Sequence, residues 1–310
     1  MEKSILNYSV LLICMLFVQV QASALNDPYL SKSFDLSGPG KIETKTSGAS
    51  VAITGTEGNH VVVEMFVKRN GKAVDPNDAD VQKRLDDYKI DIQKNGNTVS
   101  VIVETKKSPD WSKGNNINLS FEIQVPYEMS TDLNTSGGSI AISGIEGDQS
   151  IKSSGGSVKI SYSSGSIFTK SSGGSLSVSE FSGLLDLNTS GGSVKVNGME
   201  GEVTINSSGG SVSLEDVSGK IYANTSGGGI KADINNIEDA LTLKSSGGSI
   251  SATIPKDLPM DLDLKGGNVN TKLTNFDGEM KRDKIVGKSN GGGVLISMAS
   301  SGGSIKLDYK

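Results

Sequence analysis

Aliphatic residues recur through the middle of this chain in pairs two residues apart, and the pairs return every 18 residues. Counting from the first glycine of each Ser-Gly-Gly (Gly137, Gly155, Gly173, Gly191, Gly209), position four is Ile140, Val158, Leu176, Val194 and Val212. Position six is Ile142, Ile160, Val178, Val196 and Leu214. A second pair follows: position thirteen is Gln149 and then Ile167, Leu185, Val203 and Ile221, and position fifteen is Ile151, Thr169, Leu187, Ile205 and Ala223. Polar residues stand between them. Such alternation puts one side of a strand in a core and the other in solvent, so each unit predicts two short strands separated by glycine turns. Position eleven is glycine in all five units, Gly147 to Gly219. Paired glycines at every turn exclude a helix, at about 1 kcal/mol for each interior glycine.

A fixed period of this length is the signature of a stacked repeat. The expectation is an all-β fold, a right-handed parallel β-solenoid (β-helix) with coils of about 18 residues. Like would stack on like at ~4.8 Å, closing ladders from coil to coil, and parallel crossovers are nearly always right-handed. Five or six coils would span roughly 25 to 30 Å. A meander of antiparallel hairpins is the competing arrangement.

The regular array covers residues 134–246, and its surroundings differ. Residues 25–133 read as a β-rich N-terminal region with one early repeat unit at 47–63, because Ser47 to Gly58 matches Ser136 to Gly147 in order and spacing, 89 residues ahead. Within it, residues 61–67 predict a buried strand, and 77–88 a short helix capped by Asn77 or Asp78. Tyr88 to Gln93 and Thr98 to Glu104 predict a hairpin. The file Ile117, Leu119, Phe121, Ile123, Val125 predicts a strand ended by Pro126, after a loop around Pro109 and Trp111. Residues 247–310 read as irregular coils and a C-terminal cap. There Ile254-Pro255, Asp261-Leu262 and Gly266-Gly267 echo Val125-Pro126, Asp132-Leu133 and Gly137-Gly138 at an offset of 129.

Residues 1–24 read as a signal peptide: Lys3 is followed by an apolar run from Val10 to Val20 and small residues at Ala22, Ser23 and Ala24. The run has about half the ~20 residues a membrane-spanning helix needs, so no transmembrane segment is expected after signal removal. Cys14, the single cysteine, lies inside the run behind Ile13, where a lipidation signal would place a small residue. The expected location is extracytoplasmic, whether secreted, at the cell surface or periplasmic. A mature chain without cysteine has neither a disulfide framework nor a thiolate metal site.

Composition supports a thin core stacked along one axis: in 310 residues, apolar types reach only 35% and aromatics 5%, against 39 glycines. The formal charge of −5, with no cluster of Lys or Arg, argues against a nucleic-acid partner. Candidate chemistry is sparse. His60, the single histidine, falls in the thirteenth column of the early unit with no partner nearby in sequence, and reads as an ordinary strand residue. The hydroxyls of Thr135, Ser153, Ser171, Thr189, Ser207 and Thr225 share one column before the turn, where ladder hydrogen bonding accounts for them. The glycine pairs lack the Lys-Ser/Thr ending of a phosphate loop and the Asp of calcium-binding repeats.

Glu180 and Asp216 share the eighth column two coils apart, roughly 10 Å, and Glu146 and Glu200 the tenth column three coils apart, roughly 14 Å. Neither suits the carboxyl pairs of glycosidases, about 5 to 9.5 Å apart. No catalytic residue, no metal ligand and no cofactor is therefore assigned, and the ligand-binding residues are unknown. What remains is surface: serine at position three, Ala, Lys or Ser at position five and mostly Ser or Asn at position seven form a polar face suited to a glycan or surface-protein partner.

The export signal, the β-rich start, Ile123-Gln124-Val125-Pro126, Asp132-Leu133 and the serial Ser-Gly-Gly-Ser-aliphatic-x-aliphatic units together resemble the bacterial putative adhesin family of unknown function, the LiaG-like β-strand repeat proteins. The resemblance spans roughly residues 40–310 and carries no functional residues over. It implies an exported, non-enzymatic β-repeat protein, an adhesin or cell-envelope scaffold. The alternatives are a periplasmic envelope-stress or sensing accessory contacting its partner through residues 66–133, and a polysaccharide-acting β-helix enzyme.

Overall fold

A computed structural model describes residues 27–106 and 117–310. The export segment with Cys14, and the loop expected around Pro109 and Trp111, lie outside the described residues. The chain opens with β1 (Leu30–Asp35), β2 (Gly40–Thr46), β3 (Ser50–Thr56), β4 (His60–Arg69) and the two-residue β5 (Lys72–Ala73). A short helix α1 (Ala79–Leu85) follows, capped by the Asp78 carboxylate, which accepts from the Asp80 and Val81 amides. Next come β6 (Tyr88–Asn95), β7 (Thr98–Thr105), β8 (Ile117–Pro126) and β9 (Met129–Thr135). The array holds β10 (Ile140–Ser143), β11 (Glu146–Ser153), β12 (Val158–Ser171), β13 (Leu176–Thr189), β14 (Val194–Ser207), β15 (Val212–Thr225) and β16 (Ile230–Ser245). Seven shorter strands complete it: β17 (Ile250–Ile254), β18 (Met260–Lys265), β19 (Val269–Thr271), β20 (Phe276–Met280), β21 (Lys284–Ser289), β22 (Val294–Ser300) and β23 (Ile305–Tyr309).

The architecture is the expected all-β, parallel stack. Units pair in register at the 18-residue period, Val158 with Leu176 and Leu176 with Val194, so no antiparallel meander forms in the array. The first unit keeps the two short strands expected, β10 and β11, but in the next four positions four to seventeen form one 14-residue strand. Ladder pairing runs through the corners. The bends come instead from backbone conformation: position eight is left-handed in every coil (Gly144, Tyr162, Glu180, Gly198 and Asp216 have φ of 71°, 51°, 50°, 65° and 53°), and the glycine at position eleven has φ between 111° and 139°.

Between these bends position nine points inward, and Ile145, Ser163, Phe181, Met199 and Val217 are all buried beside the four expected core columns. Gln149, the polar exception in column thirteen, is buried too. Its amide is satisfied, accepting from Thr131 Oγ1 at 2.7 Å and donating to the Met129 carbonyl at 3.0 Å. The hydroxyl column at position seventeen is buried and, except at Thr189, whose hydroxyl has no partner, ties the turn to the coil: Ser153 Oγ donates to Gly156 O at 3.0 Å, and Thr135 Oγ1 accepts from Gly138 N at 3.0 Å.

The coil presents two outward faces. Face I, positions three to seven, stacks as β1-β4-β8-β3-β10-β12-β13-β14-β15-β16-β17-β23-β19, and face II, positions twelve to sixteen, as β6-β7-β2-β9-β11-β12-β13-β14-β15-β16-β22-β18-β21-β20. The stack is longer than five or six coils. Strands β7 to β18 on face II are parallel throughout and span about 48 Å at ~4.8 Å per step. On face II the outermost pairings are antiparallel, β6 with β7 at one end and β21 with β18 and β20 at the other, which blunts the open edges there.

The unit β2–β3 is inserted between β7–β8 and β9–β10, and β22–β23 between β16–β17 and β18–β19. The 89-residue offset is thus a spatial register, with Ile42 beside Thr131, Val51 beside Ile140, and Thr46 Oγ1 donating to Thr135 Oγ1 at 3.0 Å. Stacking of the early unit stops at β3. His60 does not join column thirteen; it is exposed at the start of β4, which runs antiparallel to β8 and β1 and sets His60 opposite Asp35.

Candidate functional site

Outward columns twelve, fourteen and sixteen of face II carry the most varied side chains. Column twelve runs Lys41, Ser130, Asp148, Ser166, Leu184, Glu202, Lys220, and column fourteen runs Glu43, Asp132, Ser150, Phe168, Asp186, Thr204, Tyr222. Strand parity forces these positions out of the core, so Phe168 and Leu184 are exposed at 43% and 56%. They are diagonal neighbours, because Phe168 stands opposite Asp186 and Leu184 opposite Ser166. A groove of about 680 Å³ surrounds them, and Asp132, Asp148, Asp186 and Glu202 line it with Lys41 as its one cation.

The polar groups of the groove are oriented by their neighbours. Asn188 Nδ2 donates to Asp186 Oδ1 at 2.7 Å, and Asn206 Nδ2 donates to Asn188 Oδ1 at 3.3 Å, beginning an amide ladder along column sixteen. Ser166 donates to Asp148. Lys41 Nζ lies 2.8 Å from Glu43 and 3.7 Å from Asp132; the hydrogen bond to Glu43 raises the pKa of the ammonium, and Asp132 adds to it. Farther along, Lys244 Nζ sits 5.8 Å from the centre of the Tyr222 ring. An exposed aromatic ring and an aliphatic side chain set among oriented carboxylates and amides can stack on an apolar ring face and accept from hydroxyls around it.

The carboxylates singled out by column lie elsewhere. Glu180 and Asp216 sit at the left-handed corner, two coils apart with Gly198 between them, and Glu200 joins them in a shallow depression of about 360 Å³. The Glu180 carboxylate covers Gly198, occupying the space a side chain there would need. Glu146 is exposed, three coils from Glu200 and outside that depression. Among the described residues no three His, Cys, Asp or Glu side chains converge to hold a metal ion, and no helix is long and apolar enough to cross a membrane. The polar file of positions three, five and seven forms face I. Among the described residues of segment 66–133, β7, β8 and β9 are paired inside the stack, which leaves β5, α1 and the β6 edge as outward parts.

Sequence reasoning passed over Phe168, Leu184 and Tyr222. Their signal was available: each is apolar or aromatic at an outward position.

The family model described as Toastrack DUF4097 matches residues 40–308. None of the curated proteins matches the chain. Among solved structures, a putative adhesin from Parabacteroides distasonis ATCC 8503 is 12% identical with a TM-score of 0.46, over 89% of this chain and 96% of that one. A putative adhesin from Bacteroides fragilis NCTC 9343 is 15% identical with a TM-score of 0.37, over 90% and 96% of the two chains. A putative lipid binding protein from Parabacteroides distasonis ATCC 8503 is 14% identical with a TM-score of 0.35, over 91% and 97%.

Proposed function

We propose that this chain, which belongs to the Toastrack DUF4097 family, is an exported, non-enzymatic β-repeat protein with an adhesin-like role in the cell envelope, and that it holds a surface glycan in the groove of face II. The observation that carries this reading is the exposed pair Phe168 and Leu184 inside a groove lined by four carboxylates. Aromatic and aliphatic side chains are costly to leave in water, and a rigid sheet positions them without ordering entropy on binding. The carboxylates and the Asn188 and Asn206 amides offer acceptors and donors to sugar hydroxyls. Four carboxylates against one lysine favour a neutral or basic glycan over an acidic one.

The test is a glycan and surface-protein screen of the chain from residue 27, repeated with Phe168→Ala combined with Leu184→Ser. Both residues are solvent-facing, so stability should stay within about 0.5 kcal/mol. Loss of an aromatic anchor should weaken a neutral glycan at least tenfold. Neutral-glycan binding that survives both substitutions unchanged removes the groove from the reading, and retention of surface proteins alone replaces the glycan with a protein partner.

A further inference from the structure

Face I carries a pattern that the 18-residue period does not require. Position five reads Lys159, Ser177, Lys195, Ser213, Lys231 through β12 to β16, and the register continues it through Ser251 of β17 to Lys306 of β23. Four lysines thus stand in one file on alternate strands, about 9.6 Å apart. All four are exposed. Between Lys195 and Lys231 the small side chains of Ser193, Ser211, Ser213 and Ser249, with Gly229, leave a trough of about 510 Å³ along the file.

The lysines are available. Lys159 and Lys231 make no ion pair among the described residues, while Lys195 lies 3.3 Å from Glu215 and Lys306 2.6 Å from Asp308, both pairs exposed and therefore weak. Asp233, the other carboxylate beside the file, is taken by Lys310.

We propose that this trough is a binding track for a linear acidic glycan carrying one carboxylate or sulfate per disaccharide. Acidic groups on alternate sugars of an extended chain recur at two sugar lengths, a step that matches two strand spacings. Each then meets an ammonium, while the intervening uncharged sugar lies over Ser177, Ser213 or Ser251. A polymer charged on every sugar sets half of its charges against serine, and a neutral polymer meets no charge. The groove on face II, lined by four carboxylates, and the lysine file on face I thereby favour partners of different charge.

The experiment titrates the chain from residue 27 with hyaluronan oligosaccharides, which carry a carboxylate on alternate sugars, beside oligogalacturonate of equal total charge and neutral dextran. Hyaluronan is expected to bind most tightly and dextran not at all. Lys195→Gln with Lys231→Gln should weaken hyaluronan about thirtyfold at low salt and flatten the salt dependence. Lys152→Gln with Lys170→Gln on face II makes the same charge change and should have little effect. Phe168→Ala should leave hyaluronan binding unchanged, which separates failure of this track from failure of the face II groove. The track is overturned by no hyaluronan binding, by equal or tighter binding of oligogalacturonate or dextran, or by equal losses in the two double-lysine variants.

Discussion

The two glycines of each Ser-Gly-Gly turn are chemically identical neighbours, yet the stack makes them unequal. A Cβ added at Gly155 would meet nothing closer than Ser136 O at 3.7 Å, ordinary contact. A Cβ added at Gly156 would fall 1.9 Å from Gly138 O and 2.4 Å from Gly138 C, the backbone of the coil beside it. Neither glycine has a positive φ, so alanine is conformationally acceptable at both and only the clash distinguishes them. Gly155→Ala should stabilise by about 0.4 to 1 kcal/mol, through the smaller freedom of the unfolded chain. At Gly156, restoring ordinary contact requires the coils to part by about 1.5 Å. That breaks the bonds nearest the turn, Ser154 N to Thr135 O at 3.0 Å and Ile140 N to Ser157 O at 2.9 Å. Two buried ladder bonds lost without replacement cost about 3 kcal/mol or more. Urea unfolding of the two variants, with Gly173→Ala and Gly174→Ala as a second pair one coil on, measures the difference. Equal effects within a pair, or Gly156→Ala within 1 kcal/mol of the parent by that measure, would refute the close-contact account of the turn.

Thr169 is fully buried in column fifteen, between Ile151 and Leu187, and its hydroxyl has no partner. Thr169→Val should therefore raise the free energy of unfolding by about 1 kcal/mol or more, and a destabilised valine variant would mean that the hydroxyl is bonded in solution. At the far edge, hydrogen bonds from Lys281 and then Lys284 pull the Glu279 carboxylate down to about 2 from the ordinary 4.5. Because the folded value lies below the unfolded one, this contribution to the β20–β21 hairpin is full above pH 4.5 and drains away as pH falls through about 2. NMR titration of Glu279 should show the low midpoint in the parent and a return toward 4.5 in Lys281→Gln with Lys284→Gln; a parent midpoint near 4.5 contradicts the pairing.

Columns four, six, thirteen and fifteen were legible in the sequence because strand parity repeats each as an i, i+2 pair of aliphatics. Column nine was not. It stands alone between a left-handed residue and a positive-φ glycine, and its members, Ile145, Ser163, Phe181, Met199 and Val217, share burial but no chemistry. The length of the stack was hidden for a related reason: β7, β8 and β18 join it through backbone ladders, which any alternating strand can form, without a Ser-Gly-Gly turn. The insertion of β22–β23 had one clue, the late Ser301-Gly302-Gly303-Ser304, whose Gly303 packs on Gly248 as the second glycine of each array turn packs on its predecessor. On the faces, the lysine file was partly visible at position five. Its alternation became meaningful only when the register carried it through Ser251 to Lys306.

The two insertions and the two faces are linked. A parallel stack is a row of identical interfaces, so its inward columns and close-packed glycines are constrained while its outward columns are not. That freedom is useful only if the ends neither fray nor recruit further strands. Here β22 is paired on both sides by β16 and β18, and β2 by β9 and β7, so no inserted strand on face II can peel away without breaking two ladders. Beyond them the antiparallel hairpins present short or charged edges, such as the lysine-flanked Glu279 on β20. The scaffold between is held to one strand spacing throughout. A file of lysines on one face and a carboxylate-lined groove on the other can therefore keep fixed spacings along the stack, which a partner recognised by period rather than by one deep pocket requires.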